Sequence, residues 1–80
     1  MSIIQSAMYR PHGSPPDTPC YGTLWLAEDI PGDFRVTDVF EDIEGQQIDS
    51  SYFDNRQEAQ AAYERRLEQI KLNYLLESTQ

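Results

Sequence analysis

The sequence predicts an α+β fold in one small domain, a three-stranded antiparallel β-meander packed against one long C-terminal helix. Two observations support this prediction. Three stretches rich in β-branched and aromatic residues follow one another closely from Tyr21, and the apolar spacing changes from two residues to about 3.6 after Asp54. A chain of 80 residues is long enough for one domain with a thin core.

The first twenty residues precede these strands and divide into two parts. Residues 1–10 form a short N-terminal segment, apolar from Ile3 to Tyr9, which leaves open whether a fourth strand joins the sheet. Residues 11–20 hold four of the five prolines, a composition typical of an extended linker. The β-β-β-α domain itself is therefore expected over residues 21–80.

The three predicted strands are Tyr21 to Glu28, Phe34 to Glu41 and Gln46 to Phe53. The pattern Glu-Asp-Ile-X-Gly lies in both connections between them, which indicates that the same turn chemistry is used twice. A three-residue loop in the second connection predicts that Phe40 faces Ile48 and that Val36 faces Tyr52. The first connection is expected to place Leu26 opposite Val36 and Leu24 opposite Asp38.

This register collects the large apolar side chains on one face of the sheet. They are Leu24, Leu26, Phe34, Val36, Phe40, Ile48 and Tyr52. The other face is predicted to be mostly polar, with Trp25, Val39 and Phe53 among its residues. Asp38 falls on the apolar face, where we expect it to lie near an edge or to accept a hydrogen bond from Ser50 or from a helix tyrosine.

The helix is predicted from Asn55 to Glu77. Asp54 or Asn55 can cap its start, and Gln57 or Glu58 can complete a capping box. Its inward stripe is Ala59, Tyr63, Leu67, Ile70 and Tyr74.

About 22 helical residues run roughly 33 Å, so the last turns are expected to project beyond the sheet. These turns carry Leu72, Leu75 and Leu76, which lie off the inward stripe. Either residues 1–10 fold back over these leucines or the leucines form an apolar patch.

The net charge of −8 arises from the middle of the chain. Between Glu28 and Asp54 nine carboxylates accompany a single base, Arg35, whereas acids and bases balance on either side. Such a block attracts basic proteins and repels nucleic acids and acidic membranes. The expected partner is therefore a basic protein surface, without direct contact to nucleic acid or membrane.

The sequence contains no arrangement typical of catalysis or metal binding. One histidine, His12, and one cysteine, Cys20, supply no zinc ligand set and no Cys-His or Ser-His-Asp arrangement. The acidic turns lack the ligand spacing of a calcium loop. We expect no metal, no cofactor and no enzymatic activity. The lone cysteine and the lack of an apolar stretch of about 20 residues favour a cytoplasmic protein.

Two functions fit these observations. The first is a small acidic protein that docks on a basic partner through Glu28, Asp29, Asp33, Glu41, Asp42, Glu44, Asp49 and Trp25. Its sharpest form is an inhibitor that imitates nucleic acid, as phages direct against host defence enzymes.

The alternative is an oligomeric adaptor or structural subunit, for example a homodimer. It would act through Trp25, Phe53 and the C-terminal leucines, and its acidic charge would serve only solubility.

Overall fold

The computed structural model describes residues 1–13 and 20–79. In chain order the elements are β1 (Ser2–Pro11), β2 (Tyr21–Ile30), β3 (Asp33–Asp42), β4 (Gly45–Phe53), α1 (Arg56–Asn73) and β5 (Tyr74–Thr79). The strands form one antiparallel sheet in the order β4-β3-β2-β1-β5, and α1 packs on one face of it. The α+β class is confirmed, but the sheet has five strands instead of three or four.

Two strands extend the predicted meander on the same side. Residues 1–10, for which a fourth strand was left open, contribute β1, which pairs with β2 from Ser2 and Glu28 to Tyr9 and Gly22. At its C-terminal end β1 includes Pro11, the first residue of the predicted linker. Residues 14–19 of that linker lie outside the described residues.

The prediction that the helix continues to Glu77 is wrong. The helix ends at Asn73, and residues 74–79 form β5, which pairs with β1. In this conformation β5 pairs with β1, and Tyr74 and Leu76 gain a partial burial that a helix projecting beyond the sheet would not give them. Leu76 lies opposite Tyr9 and is half-buried, whereas Leu72 and Leu75 are exposed.

The register between β2 and β3 is confirmed. Leu24 pairs with Asp38 and Leu26 with Val36. The connection is tighter than expected, because a bulge between Glu28 and Ile30 takes up one residue.

The predicted register between β3 and β4 is wrong by one residue. Asp42 pairs with Gly45, so the loop contains two residues instead of three. The Asp42 Oδ1 atom accepts hydrogen bonds from the backbone N–H groups of Glu44 at 2.8 Å and Gly45 at 3.1 Å. These bonds stabilise the tight turn, and Gly45 has a φ of +141°, which favours glycine.

This one-residue shift exchanges the two faces of β4. Ile48 pairs with Val39 and Tyr52 with Arg35, so both side chains leave the helix side of the sheet. Phe53, predicted on the opposite face, pairs with Phe34 and packs against the core.

The start of α1 and its inward stripe agree with the prediction. The Asn55 side chain accepts hydrogen bonds from the backbone N–H groups of Gln57 at 2.7 Å and Glu58 at 3.2 Å. The helix buries Ala59, Tyr63 and Ile70, and these pack with Tyr9, Leu24, Leu26, Phe34 and Val36. Leu67 and Tyr74 are half-buried, and Tyr74 belongs to β5.

A polar contact at Asp38 joins β1, β3 and α1. Its carboxylate accepts a hydrogen bond from the Tyr9 hydroxyl at 2.5 Å and from the Arg66 Nε and Nη2 atoms at 2.8 and 2.5 Å. The expected partners are therefore wrong, because Ser50 instead shares a hydrogen bond with Thr37. The Asp38 side chain is only 12% exposed, so Arg66 neutralises this acid inside the fold.

The same contact shifts two pKa values. Burial, together with the hydrogen bond to Asp38 and its negative charge, raises the pKa of Tyr9. Burial by itself lowers the pKa of Arg66, but the hydrogen bonds and charge of Asp38 raise it overall. Both shifts favour the state with a neutral tyrosine and a charged guanidinium.

The substitution Gly22→Ala should destabilise the protein by about 1–3 kcal/mol. Gly22 lies directly beneath the Tyr9 ring, and a Cβ atom at this position would overlap the ring. Urea unfolding followed by circular dichroism measures the loss. In a Tyr9→Ala background the same substitution should cost much less, and an equal cost in both backgrounds would exclude the ring as the cause.

The substitution Tyr9→Phe should make stability less dependent on alkaline pH. Because the pKa of Tyr9 is raised above its ordinary value of 10.0, its contribution to folding is complete below that pH and is lost as the pH rises further. Urea unfolding across an alkaline series should show a shallower decline for the variant. At neutral pH the variant should be about 1.5–3 kcal/mol less stable, because it lacks a hydrogen bond to a charged group. Equal alkaline slopes for the two proteins would contradict this assignment.

Candidate functional site

The antiparallel topology divides the predicted partner-binding acids into two groups at opposite ends of the sheet. Glu28, Asp29 and Asp33 surround the β2–β3 turn, while the second group surrounds the β3–β4 turn and consists of Glu41, Asp42 and Glu44. The ten residues of β3 separate the two groups by about 30 Å. Asp49 lies between them on β4, and the structure therefore does not bring the predicted acids together.

Local contacts occupy much of the group at the β3–β4 turn. Glu41 accepts hydrogen bonds from the Tyr21 hydroxyl at 3.2 Å and the Gln46 side chain at 2.6 Å, and Asp42 caps the turn. The hydrogen bond to Glu41 raises the pKa of Tyr21. The hollow beside these acids has a volume of about 200 Å³ and no aromatic lining residue.

The opposite end of the sheet contains a larger depression of about 690 Å³, which we call the acidic groove. Its carboxylates are Asp29, Asp33, Asp54 and Glu58. Its other lining residues are Ile30, Phe34, Tyr52 and Phe53. Three segments meet here, because the antiparallel β3–β4 hairpin returns the chain to the β2–β3 turn just before α1 begins.

Most of the negative charge in the acidic groove is not neutralised within the described residues. Asp29 forms an ion pair with Arg35 at 3.2 Å. Asp33, Asp54 and Glu58 are exposed and take part in none of the ion pairs seen in residues 1–13 and 20–79. The groove thus offers three exposed carboxylates to a cation from outside.

The remaining surface of the acidic groove is aromatic and aliphatic. Phe34 and Phe53 are paired across β3 and β4, where Phe34 is buried and Phe53 is half-buried. Tyr52 is 70% exposed, and Ile30 is also exposed at the turn. A lysine or arginine side chain matches such a lining, because its methylene groups pack on apolar surface while its charged end reaches carboxylates.

Two further residues predicted to bind a partner lie away from the acidic groove. Glu28 is half-buried and accepts a hydrogen bond from the backbone N–H of Gly32 at 3.2 Å. Trp25 is half-buried on the sheet face opposite α1, and its buried Nε1 atom has no hydrogen-bond partner among the described residues. Neither side chain lines the groove.

Asp54, Glu58 and Tyr52 line the acidic groove but were not predicted from the sequence as binding residues. The topology could have indicated them, since in a meander of three strands the first turn and the start of the following helix lie at the same end of the sheet. The predicted β3–β4 loop is one residue too long, and this error placed Tyr52 on the helix side of the sheet.

Metal-ligand clusters and membrane-spanning helices are two features that the described residues do not show. Residues 1–13 and 20–79 contain no group of three or more His, Cys, Asp or Glu side chains arranged to hold a metal ion. His12 is exposed after β1, and Cys20 is a half-buried free thiol. None of the described residues belongs to a helix with the length and hydropathy needed to cross a bilayer.

The acidic groove provides negative charge beside apolar surface. Carboxylates beside apolar side chains can hold a basic side chain through ion pairing and packing. Comparison with protein-family models, with curated proteins and with solved structures finds no match to this chain.

Proposed function

We propose that this chain is a small, non-enzymatic binding protein that docks on a basic surface of a protein partner through the acidic groove. The supporting observation is the placement of three carboxylates, which form no ion pair within residues 1–13 and 20–79, around an aromatic lining in one groove of about 690 Å³. The net charge of −8 supplies a field that attracts such a partner from a distance.

Recognition combines two physical contributions. An arginine or lysine inserted into the groove packs its aliphatic part on Ile30 and Phe53, and an arginine adds a cation–π contact of about 0.5–1 kcal/mol with the Phe53 ring. Its charged end then lies beside Asp33, Asp54 and Glu58, where charge-assisted hydrogen bonds are stronger than neutral ones. Apolar contact makes the groove selective for a side chain over a simple cation.

The placement of the acids favours a basic protein surface without imitation of nucleic acid. A strand that copied a phosphate backbone would carry carboxylates at regular steps of about 7 Å. Here the acids form two groups at opposite ends of β3, and Arg66 neutralises Asp38 between them.

The residues predicted for the alternative adaptor function do not all lie on one surface. Phe53 packs against the core, Leu72 lies on α1 and Leu75 lies on β5. Trp25 is on the opposite side of the sheet from Phe53. These positions give docking through the acidic groove the better geometric support.

A fluorescent hexa-arginine peptide should bind the protein at low salt and release at moderate salt, as measured by fluorescence anisotropy. The triple variant Asp33→Asn/Asp54→Asn/Glu58→Gln should weaken this binding by at least about tenfold, because it removes the three carboxylates that a cation can reach.

A matched control variant is Glu41→Gln/Asp42→Asn/Glu44→Gln, which removes the same number of charges at the other end of the sheet. It should retain most of the affinity. If both triple variants weaken binding equally, the peptide senses net charge alone and the groove is not the docking site.

Amide chemical shifts in NMR spectra should report the same location without substitution. On addition of the peptide, the largest changes should fall on residues 29–34 and 52–58 and not on residues 41–47. Changes centred on the β3–β4 turn would move the docking site to the opposite end of the sheet.

A further inference from the structure

The sheet face opposite α1, which we call the open face, is covered by no other described element. Ile48 on this face is 64% exposed, and Ile3, Met8 and Leu75 are exposed as well. Smaller residues of the same face, such as Thr37, are buried. Large exposed apolar side chains gathered on one face are typical of an interface.

The open face differs from the rest of the surface in its charge. Its two arginines are paired within the chain, Arg35 with Asp29 at 3.2 Å and Arg10 with Glu77 at 3.5 Å. Besides the Asp29 and Glu77 carboxylates of these ion pairs, Glu41 is the one acid in the described rows of the face. The face is therefore close to neutral, although the chain carries −8. Two copies of so acidic a chain repel one another least when they approach through this face.

We propose that two copies of this chain pack open face against open face, related by a two-fold axis parallel to β2. β2 is the central strand of the five, so this axis places β3 of one copy over β1 of the other. Aligned packing of two sheets is a common arrangement. Closed two-fold dimers are also the commonest homo-oligomers.

The charges of the open face suit this axis. In the row that runs across Tyr21, Glu41 lies on β3 and Arg10 on β1, so each Glu41 meets the Arg10 of the other copy.

The size of the open face also fits a dimer. Four strands about 4.8 Å apart with four rows of outward residues about 6.8 Å apart, together with two such residues of β5, cover roughly 600 Å² before side-chain relief is counted. Stable complexes bury about 800 Å² of accessible surface on each partner. Because side chains project from the sheet, the accessible area of the open face exceeds its flat area. This brings the open face close to the area that each partner of a stable complex buries.

Sedimentation velocity across a wide range of protein concentrations tests the proposal. The unmodified chain should show twice its 9.3 kDa mass at high concentration and dissociate on dilution. The variant Ile48→Lys, which puts a charge into the apolar face, should raise the dissociation constant by at least about tenfold. Ile43→Lys is the matched control, because Ile43 is 82% exposed in the β3–β4 turn outside the open face.

A charge exchange tests the orientation of the two copies. Glu41→Arg and Arg10→Glu should each weaken the dimer, and the double variant should regain affinity if the two positions face each other. A double variant weaker than both single variants would contradict the proposed axis.

A monomeric mass at all concentrations would overturn the dimer, as would equal effects of Ile48→Lys and Ile43→Lys. Circular dichroism of each variant verifies that the fold is retained. Peptide binding to the acidic groove is measured separately.

Discussion

A single helix has to cover a five-stranded sheet, and this constraint determines which surfaces remain for binding. An 18-residue helix is about 27 Å long and about 10 Å wide, whereas five strands span about 24 Å. The helix buries the central strands through Leu24, Leu26 and Val36, and it leaves the opposite face uncovered. It also begins beside the β2–β3 turn, where the sheet edge and the first helical turn enclose the acidic groove.

The position of that helix is fixed by a polar contact as well as by packing. Asp38 binds Tyr9 and Arg66 at once, and the absence of a side chain at Gly22 provides the space that the Tyr9 ring requires. One acid of the middle block consequently stabilises the fold, while Asp33 at the β2–β3 turn faces solvent. The molecule thus has an acidic groove at one end of the sheet and a nearly neutral sheet face opposite the helix.

Features decided by neighbouring residues were predictable from the sequence. The Asn55 cap, the inward stripe of α1 and the pairing of Leu26 with Val36 follow from local spacing and turn chemistry. The β3–β4 register was not predictable in this way, because one loop residue decides it and both faces of β4 carry aromatic residues, Tyr52 and Phe53. Propensity also favoured a longer helix through the terminal leucines, which only pairing with the distant β1 overrides.

The negative charge of the candidate site could be predicted from the sequence, but its location could not. The sequence shows that acids dominate the middle of the chain, yet their separation into two groups requires the direction of each strand. Asp54 and Glu58 enter the acidic groove because the hairpin returns to the β2–β3 turn, a consequence of tertiary structure. Asp38 could not be recognised as internally neutralised until Arg66 was placed beside it.

The pairing of β1 with β5 has a kinetic consequence. Every other element lies between these two strands along the chain, so their ladder closes the longest loop in the molecule. Contacts between such distant segments slow folding and form after local hairpins. β5 is an edge strand that pairs with β1 alone. Its amides should therefore exchange with deuterium sooner than those of the β2–β3 hairpin, so the β5 edge of the sheet opens before that hairpin.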